Sequence, residues 1–128
     1  MNTHIRHGSG AVRPFIYGRL DLIEFVRKVF DAVELERNKV PGGFHVQFRI
    51  GDSVAVLSAM EPPFPEATRA SIYVYVHDVD ITYQRALEAG ASSLAAPSDR
   101  PFQERAASVK DTFGNVWYLA TYKGQPSN

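Results

Sequence analysis

Residues 71–122 have the sequence SIYVYVHDVDITYQRALEAGASSLAAPSDRPFQERAASVKDTFGNVWYLATY. Residues 71–76 are mostly β-branched or aromatic and contain no glycine or proline, which is typical of a strand. Asp78 is suited to cap the N-terminus of a helix whose apolar groups recur at helical spacing. Gly90 lies where a helix favours a left-handed residue just beyond its end. The first half of this stretch therefore predicts a strand followed by a helix.

Three further strands are predicted after that helix. A short strand near residues 92–94 leads into a proline-rich loop, and residues 105–110 and 116–122 are expected to form a hairpin across Gly114. Glycine and asparagine tolerate the positive φ angles that tight hairpin turns require. The whole stretch is therefore predicted to form one βαβββ unit.

The first half of the chain repeats this order of elements. Its predicted elements are a strand at 11–17, a helix from Asp21 to about Phe30, a short strand at 34–37, and a hairpin of strands at 44–50 and 53–59. Asp21 and Glu24 have the spacing of a capping box, and Glu24 and Lys28 that of an i,i+4 ion pair. Two βαβββ modules, residues 11–60 and 71–122, are therefore predicted.

The two modules are expected to form one domain at residues 11–123. A linker with three prolines, residues 61–70, joins the modules, while residues 1–10 and 124–128 are expected to be a flexible arm and a flexible tail. One βαβββ sheet has an apolar face that it cannot bury alone, whereas two can curl together around a cleft. The predicted fold class is α+β, with an open, cupped mixed sheet. A ferredoxin-like βαββαβ domain is the alternative, but it would leave two predicted strands unused.

The composition narrows the classes of function. The chain has 128 residues, of which 45% are hydrophobic and 22% charged, as in ordinary globular domains. Its 14 basic and 14 acidic residues balance, so neither nucleic acid nor an anionic membrane is an expected partner. No cysteine is present, which excludes disulfides, thiolate metal sites and cysteine nucleophiles. No apolar run could span a bilayer and no signal peptide is evident, so a cytoplasmic protein is expected.

Five segments resemble the vicinal oxygen chelate superfamily. They are VRPFIYG, IEFVRKVFDA, HVQFRIGDSVAVLSA, SIYVYVHDVDITYQRALEAGA and VKDTFGNVWYLAT, which span nearly all of residues 11–123. Within that superfamily the chain most resembles the glyoxalase/bleomycin-resistance proteins, and among those the PhnB-like branch. The resemblance implies two βαβββ modules around a ligand cavity, and a homodimer. It selects no function, because the fold serves lyases, isomerases, dioxygenases, transferases and antibiotic-sequestering proteins without catalysis.

Catalytic members of that family hold a divalent metal with His, Gln or Glu side chains from the first and last strands of each module. The resemblance places Arg13 and Ser71 at the opening positions, Tyr118 at one closing position, and Ala55 or Leu57 at the other. These residues differ from the donors that bind Zn, Fe or Mn, and an arginine repels a dication. We therefore predict no metal site and no cofactor, and we assign no catalytic residue.

The four histidines do not suggest another metal site. His4 and His7 belong to the predicted arm, and His77 precedes a helix N-terminus, where a positive charge is disfavoured. His45 lies on a polar strand face, either as a half-buried structural residue or as a donor that points into the cavity. Metal-binding spacings such as His-x-His or His-x-x-Glu are absent from the sequence.

Aromatic residues dominate one face of the predicted cup. Strand alternation separates aliphatic residues, suited to pack on the helices, from a second face rich in tyrosine. Packing alone explains any single ring, but four tyrosines on one concave face offer ring area and hydroxyl groups, as small-molecule pockets do. Arg49 and Arg105 could add a cationic end for an anionic group. The predicted ligand-binding residues are Phe15, Tyr17, His45, Gln47, Arg49, Tyr73, Tyr75, Arg105 and Tyr118.

Two classes of function fit these residues. The first is a metal-independent small-molecule-binding protein, with a role in sequestration or resistance, whose cavity takes an aromatic or anionic ligand. The second is an enzyme, either metal-free with a tyrosine or histidine as acid or base, or a metal-dependent lyase, isomerase or dioxygenase with non-standard ligands. The predicted cup face has no acidic residue, which favours binding over acid–base chemistry. A structural dimerisation module whose cup is filled by its own side chains is a third alternative.

Overall fold

The computed structural model describes residues 4–64 and 66–124. Within them, a 3-10 turn at Arg6–Gly8 precedes the regular elements. These are β1 (Phe15–Arg19), α1 (Leu22–Phe30), β2 (Val33–Val40), β3 (Gly43–Ile50), β4 (Ser53–Met60), β5 (Ser71–Tyr75), α2 (Val79–Glu88), β6 (Ser92–Arg100), β7 (Glu104–Lys110) and β8 (Val116–Tyr122). The order βαβββ occurs twice, so the two predicted modules are confirmed. In this part of the chain neither helix is long and apolar enough to cross a membrane.

Each module forms its own four-stranded mixed sheet. The strand orders are β1-β4-β3-β2 and β5-β8-β7-β6. The last strand of each module lies parallel to the first strand and antiparallel to the strand before it. Parallel neighbours need a long connection, which the helix and the two intervening strands provide. This α+β arrangement is the predicted one, and two four-stranded sheets exclude the ferredoxin-like alternative.

The helices and one face of each sheet share a hydrophobic core. Because large apolar side chains recur on one side of α1, that helix buries Leu22, Phe25, Val26, Val29 and Phe30. The Trp117 ring of β8 packs against two of them, with ring centroids 5.7 Å from Phe25 and 5.2 Å from Phe30. A helix of the first module therefore packs directly against a strand of the second.

A buried turn between β7 and β8 also joins the modules. Oδ1 of Asp111 accepts hydrogen bonds from three backbone N–H groups of the turn, each at 3.0 Å. Oδ2 accepts from Asn115 Nδ2 and Trp117 Nε1, both at 2.9 Å. Asn115 Nδ2 also donates to the Tyr17 carbonyl oxygen of β1, and Asn115 Oδ1 accepts from the Ala70 N–H, both at 2.8 Å. One asparagine therefore holds the opening strand of the first module to the second.

Several local predictions in the first module are wrong. The first strand is Phe15–Arg19 and not residues 11–17. The backbone of Asp21 is already helical, and its carboxylate forms no N-cap hydrogen bond. The carboxylate instead accepts from the Thr112 hydroxyl at 3.0 Å, a contact between the modules. Glu24 pairs with Arg27 rather than with Lys28, because the arginine guanidinium can donate two hydrogen bonds to one carboxylate.

The predicted helix ends in the second module are confirmed. Asp78 Oδ1 accepts from two backbone N–H groups of the first turn, at 3.0 and 3.2 Å. Gly90 and Gly114 have φ angles of +103° and +102°, as their proposed turns require. The strand after α2, β6, is longer than predicted, because residues 92–100 pair with β7 through two register shifts. β6 is an outer strand, where Pro97 can be accommodated without a hydrogen-bond donor.

Candidate functional site

The tyrosine-rich face of the second module lies on the side of the sheet away from the helices. Tyr73 and Tyr118 are 52% and 43% exposed, whereas Trp117 and Leu119, which flank Tyr118 along β8, are fully buried. Successive side chains of a strand point to opposite faces, so the aromatic residues point outward while their neighbours enter the core. Tyr73 lies directly opposite Tyr118 in the parallel register of β5 and β8.

Glu104 connects two of these tyrosines. The Tyr73 hydroxyl donates to Glu104 Oε1 and the Tyr75 hydroxyl donates to Oε2, each at 2.5 Å. The Tyr118 ring stacks on that of Tyr73, with centroids 6.1 Å apart and planes inclined by 19°. We call Tyr73, Tyr75, Glu104 and Tyr118 the tyrosine–glutamate cluster. The prediction that this face has no acidic residue is therefore wrong.

Sequence reasoning missed Glu104 because the predicted strand began one residue too late. β7 begins at Glu104, which lies directly opposite Tyr122 in the register of β7 and β8. Directly opposed residues of an antiparallel pair share a face of the sheet. Extending the predicted strand by one residue would have placed this carboxylate among the tyrosines.

Hydrogen bonding fixes the charge state of the cluster. The bonds donated by Tyr73 and Tyr75 lower the pKa of Glu104, because they stabilise its carboxylate. The bond to Glu104, helped by partial burial, raises the pKa of Tyr73 to about 12, and the bond to Glu104 also raises the pKa of Tyr75. At neutral pH the cluster therefore contains one carboxylate held by two neutral phenols.

The first module contains a separate aromatic group. The Phe15 ring makes edge contacts with Tyr17 and His45, at centroid distances of 5.1 and 5.8 Å. Gln47 and Arg49 alternate with core-facing side chains of β3 and so share the face of His45. Among residues 4–64 and 66–124, no ring contact joins this group to the tyrosine–glutamate cluster. Apart from Arg105, the structure thus gathers the predicted residues into two groups, and Tyr17 belongs to the first of them.

Arg105 lies on the face opposite to the tyrosines. Its guanidinium donates to both carboxylate oxygens of Asp80, at 2.8 and 3.0 Å, and to Asp99 at 3.3 Å. The bond with Asp80 raises the pKa of Arg105 and lowers that of Asp80. The idea that Arg105 provides a cationic end beside the tyrosines is corrected, because this charge is already paired on the α2 side of the sheet.

The described part of the N-terminal arm lies across the polar face of the first module. Arg13 donates to the side-chain oxygen of Gln47 and to three backbone carbonyls of the arm. Arg6 forms an ion pair with Glu36 of β2 at 2.8 Å. Glu36 is opposite Gln47 in the register of β2 and β3, so both anchors lie on one face. Residues 6–13 therefore cover part of the surface that was predicted to line the cup.

An apolar cleft of about 250 Å³ borders the tyrosine–glutamate cluster. It separates the β1 edge and the β3–β4 turn of the first module from β5 of the second. Its lining includes Ile16, Phe48, Ser53, Ile72, Tyr73, Val74 and Tyr75. Tyr73 and Tyr75 thus line the cleft and also bind Glu104 through their hydroxyl groups.

The positions at which the family resemblance predicts metal ligands are Arg13, Ser71, Tyr118 and either Ala55 or Leu57, none of which is the His, Gln or Glu that the resemblance implies. The Arg13 guanidinium is bound to Gln47 and to arm carbonyls, and the Tyr118 ring is stacked on Tyr73. Ala55 and Leu57 are buried aliphatic residues without a donor atom in their side chains. Across residues 4–64 and 66–124, no group of three His, Asp or Glu side chains could hold an ion.

Sequence comparison identifies the family. A sequence model of the Glyoxalase/Bleomycin resistance protein/Dioxygenase superfamily matches residues 21–119. An uncharacterised protein of Mycobacterium bovis is 37% identical over an alignment of 116 residues, which covers 81% of this chain and 74% of that protein. An uncharacterised protein of Mycobacterium tuberculosis has the same identity, with 66% of its length covered. The chain belongs to the glyoxalase/bleomycin resistance protein/dioxygenase superfamily.

Solved structures have the same fold. TioX from Micromonospora sp. ML1 has a TM-score of 0.67 and 24% identity, with 94% of this chain and 99% of that chain covered. A family enzyme from Burkholderia phytofirmans has a TM-score of 0.69 and 20% identity, with 88% and 98% covered. The fosfomycin resistance protein FosX from Listeria monocytogenes has a TM-score of 0.66 and 16% identity, with 91% and 94% covered. These likenesses establish the fold.

Proposed function

We propose that this protein binds a small molecule with a flat, apolar body in the cleft beside the tyrosine–glutamate cluster, without using a metal. The observation that carries this proposal is the double role of Tyr73 and Tyr75, whose rings line the cleft while their hydroxyls are bound to Glu104. Side chains fixed at their outer ends lose little conformational freedom when a ligand arrives. The cleft therefore has a preorganised aromatic wall.

The charge states of the cluster favour capture over acid–base catalysis. A general acid or base works best when its pKa lies near the working pH. The pKa of Glu104 is lowered and that of Tyr73 is raised to about 12, so both groups are shifted away from neutrality. The alternative of a metal-dependent lyase, isomerase or dioxygenase would need donor side chains that the corresponding positions do not offer.

The biological role that we propose is sequestration of a small molecule, of the kind that protects a cell from a toxic compound. One of the structures with this fold is a fosfomycin resistance protein, which supports a role of this type. Membership of the PhnB-like branch stays a prediction from the sequence. We also propose that the protein is a homodimer, because β1 is an outer strand and its Phe15 side chain is exposed.

Filling the cleft tests the proposed function. Ser53 is exposed at the start of β4 and lines the cleft. In a thermal-shift screen, some bicyclic aromatic compounds should raise the melting temperature of the unmodified protein, because a ligand that binds only the native state stabilises it. Ser53→Trp should abolish that rise while changing the melting temperature of the free protein by only about 2 °C, since an exposed substitution costs little.

Ser92→Trp is the matched control, because Ser92 is exposed on β6 and does not line this cleft. It should leave the ligand-induced rise intact. The screen is run with and without EDTA and with added zinc. A rise that survives Ser53→Trp would place the ligand elsewhere, and a rise that EDTA abolishes and zinc restores would contradict metal-independent binding.

A further inference from the structure

We propose that the tyrosine–glutamate cluster recognises a positively charged nitrogen, so that the ligand of the cleft is a flat organic cation. This inference rests on the proposed function, because it names the charge class of the molecule that the cleft takes. Glu104 would be the counter-ion, and the rings of Tyr73 and Tyr118 would contact the cationic group.

Glu104 differs from the other acidic residues of the strands in having no basic partner. Glu34, Glu36 and Asp99 each form an ion pair with an arginine. Among the ion pairs of residues 4–64 and 66–124, none includes Glu104. Its two carboxylate oxygens accept hydrogen bonds from neutral phenols, which hold the carboxylate in place but leave its charge uncompensated.

The aromatic rings around this carboxylate also favour a cation. The face of an aromatic ring carries partial negative charge and attracts ammonium and guanidinium groups. The Tyr73 and Tyr75 ring centroids are 5.4 Å apart, and the Tyr118 ring stacks on the Tyr73 ring. Tyr73 and Tyr75 are more than half exposed, so a ligand can reach them. A quaternary or ring nitrogen would therefore meet both the π faces and the carboxylate.

Arg100 and Tyr122 are the titratable groups directly opposite Glu104 on the neighbouring strands, and Asp52 is a further acidic residue that lines the cleft. Arg100 is opposite Glu104 in the register of β6 and β7, and its charge partly offsets the rise in the pKa of Tyr73. It does not come within ion-pair distance of Glu104 in the described structure. Tyr122 is opposite Glu104 on β8 and helps to raise the pKa of Tyr75. Neither group neutralises the carboxylate, which leaves that role to a ligand.

Three probes of the same bicyclic shape test the charge preference. They are N-methylquinolinium, which is a permanent cation, 1-methylnaphthalene, which is neutral, and 1-naphthoate, which is an anion. Equilibrium dialysis of the full chain at low salt should give an affinity for the cation about 10-fold above that for the neutral probe, with the anion weakest. Added salt should weaken binding of the cation alone, because the site is open to solvent.

Glu104→Gln removes the charge while keeping one hydrogen-bond acceptor for a tyrosine. It should reduce the affinity for N-methylquinolinium by about 5- to 20-fold and change that for 1-methylnaphthalene by less than about 2-fold. Glu88→Gln is the matched control, because Glu88 is exposed on α2, on the opposite side of the sheet. It removes the same net charge and should leave both affinities unchanged. Circular dichroism checks that each variant is folded.

The pH profile of cation binding separates a charge role from a structural one. The probe does not titrate, so binding should fall only as Glu104 is protonated, when the pH drops through a pKa that lies below the usual value of 4.5. No change is expected from pH 6 to pH 8, since the pKa of Glu104 is lowered and that of Tyr73 is raised to about 12. Tyr75→Phe removes one donor to Glu104 and should move the acid limb of the profile to higher pH.

The outcomes distinguish this inference from the proposed function. Equal affinities for the cation and the neutral probe, or unchanged cation binding by folded Glu104→Gln, would overturn the inference and leave capture in the cleft intact. An acid limb that does not respond to Tyr75→Phe would also count against it. Failure of all three probes to bind would overturn the proposed function and the inference together.

Discussion

Among single residues, Asn115 is the one whose side chain most directly connects the two modules. It is fully buried, and its amide donates to the Tyr17 carbonyl and to Asp111 while its oxygen accepts from the Ala70 N–H. A buried polar group that loses its partner costs more than the hydrogen bond itself contributed. The stability of the contact between the two modules should therefore be sensitive to the Asn115 side chain.

Asn115→Ala should lower the free energy of unfolding by about 2–4 kcal/mol, because it leaves partly buried backbone groups of Tyr17 and Ala70 unpaired and removes a buried donor to Asp111. Urea denaturation followed by circular dichroism measures this change. Thr112→Ala, which removes only the exposed hydroxyl contact with Asp21, should cost less than about 1 kcal/mol. Equal losses for the two variants would show that Asn115 has no special role.

At the scale of elements, the β3–β4 hairpin uses two glycines for different physical reasons. A Cβ atom on Gly43 would lie 2.0 Å from the Ala59 carbonyl oxygen, a backbone atom that cannot move aside, whereas one on Gly51 would meet nothing within 4 Å. Gly51 is constrained instead by its φ angle of +57°. The first glycine permits close approach of two strands, and the second permits a left-handed turn.

Gly43→Ala should therefore destabilise the protein by about 3 kcal/mol or more, since the clash forces β3 and β4 apart. Gly51→Ala should cost only about 1–2 kcal/mol, the strain of a left-handed alanine. Chemical denaturation of both variants in parallel checks the order. A cost for Gly51→Ala that matches or exceeds that for Gly43→Ala would contradict this account of the hairpin.

The elements were predictable where local chemistry decides them. Asp78 and Gly90 delimit α2 as predicted, because a cap and a left-handed residue act within one helical turn. Asp21 failed as a cap because Thr112, distant in sequence, binds its carboxylate. Glu104 was missed because the predicted strand began one residue too late, which left this side chain in the preceding loop instead of on a strand face. The pairing of Arg105 with Asp80 likewise depends on packing that no local pattern encodes.

At the scale of the whole molecule, the two modules expose unlike surfaces. The first presents Phe15, His45 and Arg49 beside the anchored arm, and the second presents the tyrosines around Glu104. The alternation of side chains along the strands predicted both sets of outward residues. It could not tell whether the two sets share one surface, because that depends on how the modules pack. The observed packing, α1 against β8 through Trp117, separates them into two groups.

The exposed Phe15 ring on the outer strand β1 is expected to be covered by a second copy of the chain. Light scattering coupled to size-exclusion chromatography should give about twice the chain mass of 14.3 kDa. Phe15→Glu places a charge on the exposed surface of β1 and should yield monomers. Phe102→Glu is the control, since Phe102 is 89% exposed in the loop before β7. A monomeric unmodified protein, or equal dissociation by both variants, would contradict the expected homodimer.

The hydrogen bond between Asn115 and Tyr17 spans 98 positions of the chain. During synthesis, the first module leaves the ribosome before Asn115, whose side-chain amide binds β1, has been added to the chain. Chains whose contacts join such distant segments fold slowly, on the scale of milliseconds to seconds. Until β7 and β8 have been synthesised, the sheet of the first module therefore lacks this hydrogen bond and is open to contacts with other chains.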